Sequence, residues 1–375
     1  MSAGAEGLEQ GRRFMALALS LGRRGLGRTW PNPAVGAVIV RRDGEVPLIV
    51  GRGWTQPDGR PHAEIEALRR AGEAARGATL YVTLEPCSHH GKSPPCADAV
   101  VAAGVARVVS ALEDPNPEVA GAGHARLRAA GVVVEVGVGA EEARHDHAGH
   151  LQRIRDGRPH VALKLAIAAD GKVGAAGRKP VAITGEVVRE RVHLMRAQSD
   201  AVIVGIGTAL ADDPLLTCRL PGMAASSPVR IVLDSGLRLP LGSRLVRSAR
   251  DVPVWVVAGT AAPPRAEEAL TAEGVTVLRV EDTKGPLDLA TALKLFAARG
   301  ITRLMVESGP TLAAAFLAAD LIDEAVLFDS PKVVGAEGID ALENMPLAAL
   351  TESPRFKCVA HKSVGADTCT LFERR

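Results

Sequence analysis

Residues 34–40 read Ala-Val-Gly-Ala-Val-Ile-Val, a nearly unbroken β-branched and apolar run without polar alternation. A strand of that kind must be covered on both faces, the usual condition of strands in parallel sheets. Comparable runs recur at 78–84, 105–111 and 132–138, and the intervals between them carry helix signals. Pro61 opens a helix that runs through Arg70 to Gly72, and Pro94-Pro95 opens one over 96–103, closed by Gly104. Proline suits a first helical turn, and glycine a helix end. A third helix covers 124–130, and Phe14, Leu17, Ala18 and Leu21 mark one ahead of the first strand. Strands alternating with helices specify an α/β fold around a mostly parallel sheet.

The 375 residues exceed what one hydrophobic core usually serves, and two domains are expected, 1–150 and 151–375. A polar stretch over 141–159, with His145, His147, His150, Arg153, Arg155 and Arg158, reads as a solvated connecting helix between them. A second α/β series follows Pro159. Its strands fall at 161–168, 201–205, 229–233, 254–258, 275–280, 301–306 and 325–328, with helices at 187–196 and 290–299. No internal repeat links the halves.

Composition narrows the function. Hydrophobic residues make up 47% and charged residues 23%, ordinary for a globular chain. Lys plus Arg number 45 against 43 acidic residues, and aromatics are 3%, which disfavours nucleic-acid binding and base stacking. A small-molecule substrate is expected. No apolar run is long enough to span a membrane, and no signal-peptide pattern precedes Phe14. Five cysteines do not form a disulfide framework, so a cytoplasmic protein is expected. Cys218, Cys358 and Cys369 are isolated and read as inert.

Cys87 and Cys96 differ. His62-Ala63-Glu64 and Thr83-Leu84-Glu85-Pro86-Cys87 precede Cys96 by a spacing that brings one imidazole, two thiols and a carboxylate to one sheet edge. His62 and Glu64 stand at a helix start, Cys87 follows a strand end, and Cys96 starts the next helix, where free N–H groups favour a thiolate. Three ligands (His62, Cys87, Cys96) with an open fourth position are what catalytic zinc requires. Such a zinc brings the pKa of a bound water toward ~7, and Glu64 would accept and deliver the protons. His-x-Glu with Pro-Cys is the pattern of zinc deaminases of heterocyclic rings. A purely structural zinc site would need a fourth protein ligand, such as His89 or His90.

The interval of eight residues between Cys87 and Cys96 is longer than the Cys-x-x-Cys of cytidine and tRNA deaminases. The string Thr83 to Cys96 resembles the bifunctional deaminase/reductase family of riboflavin biosynthesis. So do Asn32-Pro-Ala-Val-Gly-Ala-Val38, Asp114-Pro-Asn-Pro117, Asp170-Gly-Lys172, Arg196-Ala-Gln-Ser199, Ala211-Asp-Asp-Pro-Leu-Leu-Thr217 and Val306-Glu-Ser-Gly-Pro-Thr311. The resemblance implies a cytidine-deaminase-like first domain and a second domain similar to dihydrofolate reductase. The first would hydrolyse the 2-amino group of 2,5-diamino-6-ribosylamino-4(3H)-pyrimidinone 5′-phosphate using Zn2+. The second would reduce the ribosyl group to ribityl using NADPH.

By the same resemblance Asn32, His89 and Lys92 contact the deaminase substrate. Arg196, Leu216, Arg219 and Glu307 contact the reductase substrate, with Lys164 catalytic. Ala166, Ala182, Thr208, Asp212, Ser235, Gly309, Pro310, Thr311, Leu312, Ala313, Ala314 and Ala315 fall on the cofactor side. Arg196 and Arg219 would clamp a phosphate bidentately, and the start of the helix after Ser308-Gly309 would hold another. Two positions depart from the pattern: Thr55 replaces a histidine, and Pro180-Val-Ala182-Ile-Thr184 lacks the usual tryptophan, which makes the cofactor wall smaller. The competing readings are a deaminase with an impaired reductase half and a zinc module of a nucleic-acid-editing protein. The sequence is also compatible with a homo-oligomer.

Overall fold

The computed structural model describes residues 3–375 except 45, 90–93, 118, 179–180 and 282–286. Two compact units divide at Gly157/Arg158. In the first, α1 (Ala3–Gly22) precedes β1 (Gly36–Arg41) and β2 (Leu48–Trp54), followed by α2 (Ala63–Ala71), β3 (Thr79–Val82) and α3 (Cys96–Ala102). Then come β4 (Arg107–Ser110), α4 (Ala122–Ala129), β5 (Val133–Val136), α5 (Ala140–Asp146) and α6 (Ala148–Asp156). The sheet order is β2-β1-β3-β4-β5, parallel across β3, β4 and β5 and antiparallel at β1. Val38, Ile39, Leu80, Val82 and Val108 are fully buried between the helices, as their unbroken apolar runs require.

Strand β2 is not apparent from periodicity, because Gly51 and Gly53 interrupt its apolar residues. Those glycines are what lets α2 pack onto the strand. A Cβ on Gly53 would lie 2.3 Å from the Ala63 carbonyl oxygen, and one on Gly51 2.3 Å from that of Ala67. The close approach fixes the start of α2, where His62 and Glu64 lie.

The stretch 141–159 corrects the sequence reading. It forms α5 and α6 within the first unit rather than one solvated connecting helix. His145 is exposed, but His147 and His150 are buried at 2% and 8%. Their Nε2 atoms lie 3.0 Å from Thr83 Oγ1 and 3.1 Å from Asp114 Oδ1. Polarity here reflects buried hydrogen-bonding partners, not exposure to water.

The second unit begins with β6 (His160–Ala168), β7 (Lys172–Gly174), α7 (Glu186–Ala197), β8 (Ala201–Gly205), α8 (Ile206–Asp212), β9 (Val229–Leu233) and α9 (Arg244–Arg247). It continues through β10 (Val254–Gly259), α10 (Pro264–Ala272), β11 (Thr276–Val280), α11 (Leu289–Ala298), β12 (Arg303–Val306) and α12 (Pro310–Ala318). The last elements are β13 (Glu324–Ser330), β14 (Ile339–Asp340), α13 (Ala348–Thr351), β15 (Phe356–Val364) and β16 (Asp367–Arg374). Nine strands lie in the order β11-β10-β9-β8-β12-β6-β13-β16-β15, parallel up to β13 and antiparallel beyond. The expected second series of strands is all present. The hairpin β15–β16 lies outside those expected strands, because its residues are largely polar and carry little apolar alternation. Among the described residues no helix is long and apolar enough to cross a membrane.

Candidate active sites

The first site lies where the ends of β3 and β4 meet the starts of α2 and α3. His62 is the N-cap residue of α2 in extended conformation, which leaves Glu64 in the first turn. Cys96 opens α3. His62 Nδ1 is 3.3 Å from Cys96 Sγ and 3.7 Å from Cys87 Sγ, and the three donor atoms lie within 4.8 Å of one another. Two sulfurs and one imidazole nitrogen at that spacing, open on a cavity, fit zinc with a position left for water.

The electrostatics follow from crowding. The Cys96 backbone N–H donates to Cys87 Sγ at 3.3 Å. Cys87 is held down to about 4, first by a hydrogen bond with the Cys96 thiol and also by His62. The proton the pair retains pushes Cys96 up. His62 is raised, chiefly by its bond to Cys87. Glu64 is 3% exposed, and burial pushes its carboxyl up to about 7. Glu85, of the same motif, has a different task. Its carboxylate accepts the backbone N–H groups of Asp114, Gly121 and His124, tying the loop after β4 to the end of β3.

A cavity of about 210 Å³ opens beside Glu64, lined among others by Asn32, Thr55, His89 and Asn116. Asn32 Nδ2 donates to the Gly59 carbonyl at 2.9 Å. Thr55, in place of the expected histidine, accepts the Val35 N–H at 3.0 Å and so closes the wall with a hydroxyl. Lys92 lies outside the described residues. Arg60, His150 and Arg153, none of them a site residue expected from sequence, also line the cavity. The last two sit on α6, taken from sequence as a connector.

Gly59 has φ +80°, and a Cβ there would lie 2.4 Å from Asn32 Nδ2. Gly59→Ala therefore costs about 1–3 kcal/mol of backbone strain and displaces Asn32. A raised KM for first-site turnover with second-site kinetics unchanged is expected; an unaltered KM would sever Asn32 from substrate binding.

His150 holds Asp114 against desolvation. Burial, the largest single influence, pushes the carboxyl up, but the hydrogen bond and charge of His150, the Asn116 N–H and His147 together outweigh it, and Asp114 ends below its ordinary value. Its contribution is therefore present near neutrality and lost as pH falls through the depressed folded-state pKa. His150→Leu removes a hydrogen bond to a charged group and should cost about 1.5–3 kcal/mol at neutral pH. Urea unfolding at pH 7 and in acid checks this, and a loss that persists undiminished in acid would contradict it.

The second site occupies a cavity of about 410 Å³ lined by residues of β6, α7, α8 and the β12–α12 turn. Lys164, Ala166, Ala182, Arg196, Thr208, Asp212, Leu216, Glu307, Gly309 and Pro310 all line it, as do Val173, Arg189 and Ile339, which sequence did not suggest. Arg196 Nε and Nη2 donate to the two Glu307 oxygens at 2.8 Å each, and Nη1 donates to the Thr217 carbonyl at 3.1 Å. That fork binds Arg196 to Glu307, a carboxylate too buried to go without a counter-charge, and leaves further N–H donors on Nη1 and Nη2 for a substrate phosphate. Arg219 is exposed, does not line the cavity, and donates its backbone N–H to His193 Nδ1. Lys164 Nζ sits 3.9 Å from Glu307 Oε1. Burial lowers the Lys164 ammonium. Burial pushes Glu307 up, but Arg196 and then Lys164 outweigh it, so the carboxylate stays ionised.

The N-terminal end of α12 supplies the anion-binding part. Thr208 Oγ1 accepts the Gly309 N–H at 3.2 Å, and the buried Ser308 hydroxyl has no hydrogen-bonding partner among the described residues. A lining hydroxyl left unpaired beside a helix start fits a cofactor phosphate. Thr311, Leu312, Ala313, Ala314 and Ala315 lie further along α12 and do not line the cavity; Ala313 and Ala314 are buried in the core. Ser235 is exposed beyond β9 and is not part of the lining either. Only the start of that expected segment lines the cavity, because the helix turns Ala313 and Ala314 into the core and leaves Thr311 and Ala315 exposed. Leu216 is buried with φ +54°, a strained conformation at the cavity wall. Pro180 lies outside the described residues.

The fold and sites thus define a deaminase unit of the cytidine-deaminase zinc type joined to a reductase unit. Residues 8–112 match the family model for the cytidine and deoxycytidylate deaminase zinc-binding region, and 159–370 match that for the RibD C-terminal domain. Riboflavin biosynthesis protein RibD of Escherichia coli (strain K12) is 42% identical over 96% of this chain and 98% of its own length. That of Aquifex aeolicus (strain VF5) is 40% identical, covering 97% and 98%. Among solved structures, Acinetobacter baumannii RibD superposes with a TM-score of 0.86 at 38% identity, covering 98% of this chain and 99% of that one. A deaminase/reductase from Thermotoga maritima gives 0.84 at 34% identity, with coverage of 98% and 100%. The chain belongs to the RibD family of riboflavin biosynthesis proteins.

Proposed function

We infer that this chain performs two consecutive steps of riboflavin biosynthesis. The first is hydrolytic deamination of 2,5-diamino-6-ribosylamino-4(3H)-pyrimidinone 5′-phosphate, and the second is reduction of its ribosyl group to a ribityl chain. The observation that carries the reading is one chain holding both a three-donor zinc centre beside buried Glu64 and a separate cavity built around Lys164 and Glu307.

In the deaminase, His62, Cys87 and Cys96 hold zinc, which when bound supplies Lewis-acid activation of water. Glu64 takes a proton from the attacking water at its carboxylate and delivers it to the ring nitrogen; it then takes the proton of the hydroxyl added to the ring carbon and passes it to the amine, which leaves as ammonia as the carbonyl forms. Its raised pKa suits both directions of transfer. Asn32 and His89 orient the pyrimidine, and Lys92 is assigned to the phosphate by family resemblance.

In the reductase, NADPH supplies a hydride when bound. Thr208, Ser308 and the Gly309–Pro310 turn hold its phosphate side, with Ala166, Ala182 and Asp212 along its wall. Lys164 Nζ provides the proton that accompanies reduction of the opened ribose, and Glu307, oriented by Arg196, keeps that ammonium protonated and in place. Leu216 shapes the sugar side of the cavity. The five free cysteines support a cytoplasmic setting.

The test combines zinc content with ammonia release from the diaminopyrimidine substrate, followed by NADPH consumption. Stoichiometric zinc and sequential release and consumption are expected. Absence of ammonia release by zinc-loaded protein would overturn the deaminase reading, and absence of NADPH consumption on the deaminated compound would overturn the reductase one.

A further inference from the structure

We propose that Glu85, Glu113 and His124 form a second divalent-metal site in the deaminase unit, distinct from the His62–Cys87–Cys96 centre. Their ligand atoms lie within 4.8 Å of one another. His124 carries the argument. It sits in the first turn of α4 and is 1% exposed, yet neither ring nitrogen meets a hydrogen-bond partner. Its Nδ1 lies 3.8 Å from Glu85 Oε2, beyond hydrogen-bonding reach. Orphaned nitrogens on a buried imidazole are rare in folded proteins, and a bound ion is one of the few species that accounts for the one facing Glu85.

Glu85 supplies the second feature. Its side chain is 0% exposed, and among the described residues no Lys or Arg pairs with it. Three backbone N–H groups occupy its oxygens, two on Oε2 and one on Oε1. A carboxylate offers about four acceptor positions, so one remains for a ligand bond. A buried anion held only by neutral donors is a place where a cation is electrostatically favoured. Exposed Glu113, on the loop after β4, brings the second carboxylate.

One imidazole and two carboxylates without sulfur suit a harder, more weakly held ion than the thiolate centre does, such as Mn2+, Co2+ or Zn2+ completed by water. Its role would be structural. It would fasten the loop carrying Asp114 and Asn116, which line the deaminase cavity, to the end of β3 that bears Glu85.

Titrating the zinc-loaded full-length protein with Co2+ tests this. Uptake of one further equivalent is expected, with weak ligand-field absorption and no thiolate charge-transfer band. His124→Leu and Glu113→Gln should each lose that equivalent while retaining the first-site zinc. Glu113 is exposed, so its substitution keeps the test decisive should His124→Leu fail to fold. No further uptake by the wild type, equal uptake by Glu113→Gln, or uptake accompanied by a thiolate band would each overturn the proposal.

Discussion

Replacing Glu64 by glutamine should lower ammonia release by roughly 10²–10⁴-fold, the usual contribution of a positioned general acid/base. The zinc content should not change, because the three donors His62, Cys87 and Cys96 are untouched. Glutamine keeps the shape of the side chain and can still donate a hydrogen bond, but it cannot accept the water proton. The carboxyl is 3% exposed and raised to about 7 by burial, so near neutrality it divides its time between the forms that take and give a proton. Two controls isolate the effect: metal analysis of the variant, and NADPH oxidation with the deaminated compound, which should run at the wild-type rate. Full ammonia release by Glu64→Gln would remove Glu64 from the chemistry.

The parts legible in sequence were those where one residue type has one cheap explanation. Unbroken apolar runs gave the buried parallel strands of both sheets, and His-x-Glu with two spaced cysteines gave the metal-binding donors. What stayed hidden depended on contacts between distant residues. Strand β2 was masked by the two glycines that let α2 approach it. His147, at the junction of α5 and α6, and His150 of α6 read as a solvated connector because their partners, Thr83 and Asp114, lie 64 and 36 residues away in the chain. Arg196 could be assigned to a ligand but not to Glu307, 111 residues on, which occupies its fork. Family resemblance placed residues at the second cavity, yet it could not tell that α12 turns Thr311 to Ala315 away from it. A motif reports which side chains are present; the fold decides which of them face one another.

Replacing Glu307 by glutamine should impair the reductase in a pH-dependent way that distinguishes a charge role from a merely structural one. The carboxylate bonds both prongs of Arg196 and stands 3.9 Å from Lys164 Nζ. Its loss leaves two cations in one largely buried cavity with no anion between them. Breaking a buried pair in this manner costs about 3–5 kcal/mol. Glu307 is also what raises the Lys164 pKa against the lowering caused by burial and by Arg196. Without it the ammonium gives up its proton at lower pH, so the alkaline limb of NADPH oxidation should move toward neutrality. Ammonia release should be unaffected, because the deaminase cavity contains none of these residues. Steady-state NADPH oxidation across pH, measured together with thermal unfolding, separates the outcomes. A uniform loss of rate with an unmoved alkaline limb would assign Glu307 to packing alone, whereas a shifted limb that Glu307→Asp partly restores would place its charge in control of the Lys164 proton.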